Sequence, residues 1–373
     1  MPTSTQRPRV TLWLRDETKP MEHRACLSPA VCRELISSGN FDIKVERSNV
    51  RIFSDEEYSN TGCELVETGS WRSAPLDNII VGLKELPEHE TTPLPHTHIM
   101  FAHCYKGQDG WRDVLSRFAR GNGTLYDLEF LENEQGKRVA AFGFYAGFAG
   151  AAVGISAWWH QSLSTVDTEF PPIHHYPNEM ALISELKQKI AAVGRQPRIL
   201  VIGALGRCGS GAISLAEKAG ISPENIIRWD INETKKGGPF PEILDADIFI
   251  NCIYLTTKIP PFVTQKGING KRNLSVIVDV SCDPNNPNNP IPIYHASTTF
   301  DKPLITIETS NPNSKPLQVC AIDHLPSMLP REASDQFARD LLPTLLKLPQ
   351  RDQAGEWIRA KDLYNRKVAS LSE

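Results

Sequence analysis

The sequence carries almost no excess charge, because 40 lysines and arginines are offset by 44 aspartates and glutamates, for a formal net charge of −4. A chain without an overall basic field is not expected to bind nucleic acid, although a local positive pocket is compatible with these numbers. The eight cysteines include no CxxC pair, which argues against a zinc ribbon and favours free thiols in a reducing compartment. Residues 1–9 lack an apolar stretch, so we expect no secretory signal.

One uncharged run, residues 139–159, is long enough to cross a bilayer. It consists mainly of glycine and alanine, and Gly143, Gly147, Gly150 and Gly154 recur at helical spacing along one stripe. Such a stripe lets another backbone approach closely. We therefore expect a buried helix and no association with a membrane.

A glycine-rich turn follows the β-rich run 198–202 and precedes a helical stretch. Its glycines are Gly203, Gly206 and Gly209. In dinucleotide-binding units such a turn lets the pyrophosphate approach the backbone and the amino terminus of the helix. The spacing departs from GxGxxG by one residue, and a structural turn without a cofactor is the alternative interpretation.

The next β-rich run ends at Asp230. A carboxylate at this position would accept hydrogen bonds from both ribose hydroxyls and repel a 2′-phosphate, which favours NAD over NADP. Arg228 lies two residues earlier and would weaken that preference.

The alternation of strands and helices begins at about residue 10 and resumes at Arg198. We expect an α/β protein with two Rossmann-like domains, each with a parallel sheet, around a central cleft. The substrate-binding domain is expected to be discontinuous, with residues 1–138 and 326–373. The NAD-binding domain is expected to comprise residues 139–325.

Two residues in apolar surroundings are acid/base candidates. Lys84 is near the end of residues 79–86, which we predict to be a buried strand. Burial would lower its pKa toward that of a general base, whereas the alternative is a lysine that reaches solvent at the strand end. His103 follows another apolar run, with a hydrogen-bonded core histidine as the alternative. His96 and His98 share one face of a strand and His103 lies on the other, which argues against a metal site.

Arg24 follows a polar run just before a predicted helix, and Arg138 follows a turn and opens an apolar run. The planar fork of either side chain could hold a substrate carboxylate, and a surface ion pair is the alternative. Cys208 lies in the glycine-rich turn and Cys252 ends a later strand that should be its neighbour at the switch point. The pattern thus predicts two nearby thiols, either joined in an oxidised sample or packed separately.

Longer motifs resemble those of the alanine dehydrogenase/saccharopine dehydrogenase superfamily. Within it, they are similar to the fungal NAD-dependent, lysine-forming saccharopine dehydrogenases over nearly the whole chain. The segments that carry this resemblance are residues 16–20, 24–29, 82–85, 101–106, 123–129, 142–147, 203–212, 323–327 and 329–333.

The resemblance implies NAD-dependent oxidation of saccharopine and hydrolysis of the imine to L-lysine and 2-oxoglutarate, the last step of the aminoadipate route to lysine. It implies that Lys84 and His103 are the acid/base pair. The residues expected to bind substrate are Arg24, Arg138, Lys106, Glu85 and Glu129. The residues expected to bind NAD are Gly203, Leu205, Gly206, Arg207, Cys208, Gly209, Asp230, Cys252, Tyr254 and Asp323.

The resemblance also implies a monomer that acts on small molecules without a metal. The final residues, 370–373, differ from a peroxisomal tripeptide, so a cytoplasmic location is expected. Two other functions stay open on the sequence. One is an amino-acid dehydrogenase of the alanine dehydrogenase type, and the other is an NAD-binding regulator without catalysis.

Overall fold

The computed structural model describes residues 9–372 except 88, 165–168, 283 and 311–314. The chain forms two compact units, Met1–Ala141 with Pro330–Glu373, and Phe142–Leu329. The strands are β1 Val10–Leu14, β2 Phe41–Glu46, β3 Glu64–Val66, β4 Ile79–Val81, β5 Thr97–Met100, β6 Thr124–Asp127, β7 Ile199–Ile202, β8 Ile226–Trp229, β9 Ile248–Asn251, β10 Val276–Asp279, β11 Ile305–Ile307 and β12 Leu317–Cys320. The α-helices are α1 Pro29–Ser37, α2 Asp55–Ser59, α3 Trp111–Gly121, α4 Gly143–Leu163, α5 Glu179–Val193, α6 Arg207–Lys218, α7 Ile231–Thr234, α8 Pro241–Asp245, α9 Gln265–Ile268, α10 Pro330–Leu345 and α11 Gly355–Ala369.

The first unit is built on a parallel sheet with the strand order β3-β2-β1-β4-β5-β6. Leu14 at the end of β1 is level with Val81 at the end of β4, which is in turn level with Ile99 of β5. Met100 is level with Asp127 at the end of β6. Because these strands are parallel, the segments that follow them leave the sheet at the same edge, where ligands bind in open α/β sheets.

The strand expected over residues 79–86 is shorter than predicted and ends at Val81. The apolar run continues, but the backbone N–H groups of Leu83 and Lys84 donate to the carboxylate of Glu17 at 2.6 and 3.0 Å. For these two N–H groups, a side chain replaces a neighbouring strand as the hydrogen-bond acceptor. Lys84 lies on a loop rather than on a strand.

The second unit carries a sheet of order β11-β12-β10-β9-β7-β8. All its pairings are parallel except that of β11 with β12. The predicted α/β class with parallel sheets is therefore confirmed, with the antiparallel edge strand β11 as the exception. The strand that precedes Cys252, β9, pairs with β7, as predicted.

The glycine-striped helix α4 is buried over most of its length, as predicted. A Cβ atom at Gly147 would overlap the carbonyl of Cys208 on α6, and one at Gly150 or Gly154 would press on valines of β10 and the segment just after it. The stripe thus allows close packing of α4 in the second unit. Among the described residues, we find no helix with the length and apolar content needed to span a membrane.

Candidate active site

Lys84 lies on the loop after β4, and its side chain is half-buried. Burial and the neighbouring Arg24 guanidinium lower its pKa, while the carboxylates of Glu22 and Glu85 act against that shift. An amine whose pKa is lowered is more often neutral at a given pH. Lys84 is thereby better suited to accept a proton than an exposed lysine.

His103 lies just beyond β5, and its backbone adopts a left-handed conformation with φ 49°, which residues other than glycine seldom adopt. Its Nδ1 donates a hydrogen bond to Glu85 Oε1. This hydrogen bond raises the pKa of His103 more than burial lowers it. On Glu85, burial opposes ionisation, but the bond to His103 and a backbone N–H lower the pKa of the carboxyl to about 2.

The pKa values of Lys84 and His103 are therefore shifted in opposite directions, that of the lysine downward and that of the histidine upward. Glu85 contacts His103 directly, and its second oxygen lies 3.3 Å from Nζ of Lys19. Two titratable groups with environments that shift their pKa values in this way are a recurrent feature of acid/base sites.

Arg24 is buried rather than placed in a surface ion pair. Its Nε and Nη2 donate to the two oxygens of Glu22 at 2.9 and 2.7 Å, and only 4% and 3% of these side chains are exposed. Burial opposes ionisation of Glu22, but Arg24 and Lys84 keep its pKa below the ordinary value. Since Glu22 already occupies the fork of Arg24, binding of a substrate carboxylate by this arginine stays a prediction.

A second group of charges surrounds Glu129, just after β6. Glu129 Oε1 lies 2.6 Å from Nζ of Lys106 and 3.7 Å from Nη2 of Arg138. Glu129 also contributes to the raised pKa of His103. The structure thus brings together the predicted residues of the first unit in two adjoining groups, one around Lys84 and one around Glu129.

Sequence reasoning missed Glu22 and Asp127. Asp127 ends β6, and its carboxylate accepts hydrogen bonds from the backbone N–H groups of Ala102 at 3.3 Å and Glu129 at 2.9 Å. Burial raises its pKa to about 6. The signal for Asp127 was a polar residue at the end of an apolar strand. No sequence signal identifies Glu22, because its spacing of two residues from Arg24 in a loop does not determine whether the side chains meet.

His96 and His98 lie apart from this group. His96 Nε2 is 2.9 Å from the carbonyl of Ala74, and His98 is buried with its ring 5.3 Å from those of both Trp71 and Phe118. In the described part of the chain, no three His, Cys, Asp or Glu side chains are grouped so as to hold a metal ion.

The glycine-rich turn connects β7 to α6. Gly203 has φ 89°, and its N–H and that of Ala204 donate to the carbonyl of Trp229 at 2.9 and 3.0 Å. Gly206 is the N-cap of α6 and, as a glycine, has no side chain with which to cap the helix. A Cβ atom at Gly209 would overlap the backbone of Gly203. This turn leaves the amino terminus of α6 available to a diphosphate.

The other predicted cofactor residues follow the carboxyl ends of strands in the same sheet. Asp230, directly after β8, accepts a hydrogen bond from Leu205 N at 3.0 Å. Leu205 and Tyr254 are 86% and 62% exposed, and Asp323 is also exposed. Arg228, which could have favoured NADP, pairs with Glu217 of α6 at 2.7 Å.

All eight cysteines are free thiols in this structure. Burial raises the pKa of both Cys208 and Cys252, and the proximity of Cys208 adds to the effect at Cys252. The pairing of Cys208 with Cys252 in a disulfide stays a prediction.

Residues 13–149 match the family described as the N-terminal domain of alanine dehydrogenase/PNT. The chain is 58% identical to saccharopine dehydrogenase (NAD(+), L-lysine-forming) of Yarrowia lipolytica over 369 aligned residues. The alignment covers 98% of this chain and 99% of that protein. The chain belongs to the saccharopine dehydrogenase family. The saccharopine dehydrogenase of Candida albicans is 54% identical over 379 residues, with 98% of each chain covered.

Membership of the saccharopine dehydrogenase family confirms the resemblance inferred from the motifs. A solved structure of L-alanine dehydrogenase has a TM-score of 0.65 at 17% identity, with 96% of this chain and 94% of that chain covered. At that identity the likeness shows a shared fold. It supports the predicted pair of Rossmann-like domains.

Proposed function

We propose that this protein catalyses the reversible, NAD-dependent oxidative cleavage of saccharopine to L-lysine and 2-oxoglutarate, the final step of the aminoadipate pathway. The observation that carries the proposal is the acid/base group of the first unit. In it, a half-buried Lys84 with a lowered pKa lies near a His103 whose pKa is raised by Glu85. The relatives of more than half identity are named for this reaction.

In the proposed mechanism, the neutral amine of Lys84 takes the proton from the secondary amine of saccharopine. Bound NAD supplies the hydride acceptor. His103 then activates water for attack on the substrate imine and assists collapse of the carbinolamine. Since its Nδ1 is engaged by Glu85, Nε2 is the nitrogen that exchanges protons. The ionised Glu85 stabilises the protonated imidazole that forms when His103 takes a proton from water.

Saccharopine has three carboxylates, so its binding requires cations. Arg138 and Lys106 are the exposed candidates, with 40% and 55% of their side chains accessible. Both contact Glu129, which would hold them in place before substrate arrives. Arg24, although paired with Glu22, adds positive charge beside Lys84.

For the cofactor, we propose that the turn from Gly203 to Gly209 holds the pyrophosphate and that Asp230 binds the ribose. The amino terminus of α6, where the N-cap residue is a glycine without a side chain, supports this assignment. The second unit would then be the NAD-binding domain and the first unit the substrate-binding domain. The further candidates for cofactor contacts are Leu205, Arg207, Cys208, Cys252, Tyr254 and Asp323.

Three finer properties belong to the same proposal. We infer a monomeric, cytoplasmic enzyme in which Cys208 and Cys252 form a disulfide on oxidation. Peptide mapping of oxidised protein without reductant tests the disulfide, since a Cys252→Ser variant should lose the cross-linked peptide. Light scattering tests the oligomeric state.

One assay tests the main proposal against its alternatives. Purified protein is incubated with saccharopine and NAD, or with lysine, 2-oxoglutarate and NADH, and the absorbance of NADH is followed. Turnover in both directions supports the proposal. Preference for pyruvate and ammonia would indicate an alanine dehydrogenase, and NADH binding without turnover would indicate a regulator.

A further inference from the structure

We propose that Arg15 and Glu17 form a positioning pair, which holds the backbone of residues 82–84 and thereby directs the side chain of Lys84. The inference rests on the proposed catalytic role of Lys84. Arg15 directly follows β1, and Glu17 lies two residues further along. Both act on the loop after β4, the neighbouring strand.

The carboxylate of Glu17 takes the place of a neighbouring strand. One oxygen accepts the N–H of Leu83 at 2.6 Å, and the other accepts the N–H of Lys84 at 3.0 Å. Hydrogen bonds to an ionised acceptor are stronger than those between neutral groups. Two successive peptide planes are therefore fixed by a single side chain.

Arg15 binds the other backbone group of Lys84, its carbonyl. Its Nη2 donates to the carbonyl oxygen of Lys84. Its Nη1 donates to the carbonyl of Asp16 at 3.2 Å and lies 3.4 Å from Glu17 Oε2. Together, Arg15 and Glu17 bind the N–H and the C=O of Lys84.

The contacts of β5 end where those of this pair begin. Gly82 N donates to Ile99 O at 3.0 Å, and Phe101 N donates to Leu83 O at 3.0 Å. Beyond these two bonds, the ladder no longer holds the Lys84 peptide. The pair thus extends the fixed backbone by the one residue that carries the proposed base.

Burial and a glycine support a specific role for the pair. Only 1% of the Arg15 side chain and 5% of the Glu17 side chain are exposed. A buried ion pair is weak evidence for a contribution to stability, because apolar replacements are often equally stable. At Gly82, a Cβ atom would overlap the Arg15 guanidinium, so this glycine leaves the space that Arg15 occupies.

The position of Lys84 determines its electrostatic surroundings. Those surroundings comprise Arg24 and Lys19, which lower the pKa of Lys84, and Glu22 and Glu85, which raise it, in addition to burial. If the loop relaxes, the amine can reach solvent, and its pKa should rise toward the ordinary value. Misplacement of a catalytic group by about 1 Å can cost on the order of 100-fold in rate.

The test begins with Glu17→Gln. Glutamine offers one acceptor oxygen, so one of the two backbone N–H groups faces an amide NH₂ instead. We expect kcat for saccharopine oxidation to fall by about 10- to 100-fold, while the Kd for NADH is unchanged. The acidic limb of the pH–rate profile should move to higher pH, because the neutral form of Lys84 is required.

Gly82→Ala perturbs the pair without removing a charge, since it displaces the Arg15 guanidinium. It should lower kcat and move the same limb in the same direction. In an Arg15→Ala background, Gly82→Ala should cost little more, because the group that it displaces is gone. If Glu17→Gln does not fold, the Gly82→Ala series decides the matter.

Asp247→Asn is the matched control. Asp247 is a largely buried carboxylate in the second unit that pairs with Arg195 at 2.7 Å and accepts the N–H of Arg198 at 2.8 Å. Its loss should lower the Tm but leave kcat per folded enzyme and the pH limb unchanged. If Glu17→Gln and Gly82→Ala acted only through stability, they too would lower the Tm without changing kcat per folded enzyme or the pH limb.

Lys84→Met separates the two proposals. If it retains turnover, the catalytic role of Lys84 is wrong and the positioning inference is overturned with it. If it loses turnover while folded Glu17→Gln and Gly82→Ala keep the wild-type kcat and pH limb, only the positioning inference is overturned. Loss in all three variants, with the limb shifted in the latter two, supports both.

Discussion

Replacing Glu85 by glutamine removes the anion that contacts His103 but keeps nearly the same side-chain shape. The structure gives the sign of the effect, because Glu85 is the main cause of the raised pKa of His103. In Glu85→Gln, the pKa of His103 should therefore fall. Glu129 also favours the protonated imidazole, so Glu129→Gln should lower the pKa of His103 to a smaller extent.

The pKa of Glu85 gives the order of magnitude. Its lowering from 4.5 to about 2 corresponds to roughly 3.5 kcal/mol at about 1.4 kcal/mol per unit. This net lowering combines the effects of His103, a backbone N–H and Lys19 with the opposing effect of burial, and partial exposure of the pair weakens the coupling through solvent screening. We expect a coupling of about 1–2 kcal/mol between Glu85 and protonated His103, or roughly 5- to 30-fold in the protonation equilibrium.

The same pair makes a prediction about stability. The ionised Glu85 contributes above its ordinary pKa of 4.5, and this contribution is lost as pH falls toward 2. The protonated His103 contributes fully below its ordinary pKa of 6.5, and this contribution is lost as pH rises through the raised value. The Tm difference between wild type and Glu85→Gln should thus be largest between pH 4.5 and pH 6.5, the two ordinary pKa values, and shrink as pH rises through the raised pKa of His103.

The assay is NMR titration of the His103 imidazole, assigned with His103→Gln, together with thermal unfolding across pH. Glu64→Gln is a suitable control, since Glu64 lies in the same sheet and pairs with Lys44 at 3.0 Å. An unchanged or raised pKa of His103 in Glu85→Gln would refute the reasoning. So would a Tm difference that is independent of pH.

Four further outcomes are expected. Lys84→Met should lower turnover by about 10²- to 10⁴-fold without loss of NADH binding, whereas Lys44→Met should be nearly neutral by the same kinetic assay. Asp230→Ser should narrow the preference for NADH over NADPH in kcat/KM, and equal use of both by the wild type would contradict the role of Asp230. Arg138→Ala should weaken 2-oxoglutarate binding by about 10- to 150-fold, and calorimetry that finds normal affinity would make this arginine structural. Gly147→Ala should lower the Tm strongly, because its Cβ would overlap the backbone of the facing helix; a small change in unfolding by circular dichroism would argue against that packing.

The helices and strands whose ends carry typical capping or turn residues could be predicted closely from the sequence. Ser28 caps α1, and Asn178 and Gly194 bound α5, which are residue types typical of helix ends. The end of β4 could not be predicted, because the apolar run continues past Val81 while the hydrogen-bond partner changes to Glu17. A hydrophobic pattern reports burial and carries no information about which group accepts a backbone N–H.

The candidate site shows the same division. Lys84 and His103 could be singled out as polar residues in apolar runs near strand ends, and the family resemblance implied that they form an acid/base pair. The fork between Arg24 and Glu22 could not be predicted, because a spacing of two residues in a loop does not determine whether side chains meet. Likewise, the left-handed backbone of His103 depends on tertiary contacts that local propensity does not encode.

The segment from Arg15 to Arg24 contains four charged side chains that are at most 8% exposed: Arg15, Glu17, Glu22 and Arg24. Burying two cations and two anions requires desolvation of each, and such pairs often stabilise a protein no better than apolar side chains. What apolar side chains cannot do is hold backbone N–H and C=O groups off a strand end or set the charge beside a lysine. Glu17 and Arg15 hold the backbone N–H and C=O groups after β4. Arg24 lowers the pKa of Lys84, whereas Glu22 raises it. The two cations and two anions cancel in the net charge of the segment, but each acts on Lys84 through its own contacts. Changing any one of the four should therefore alter the pKa or the position of Lys84.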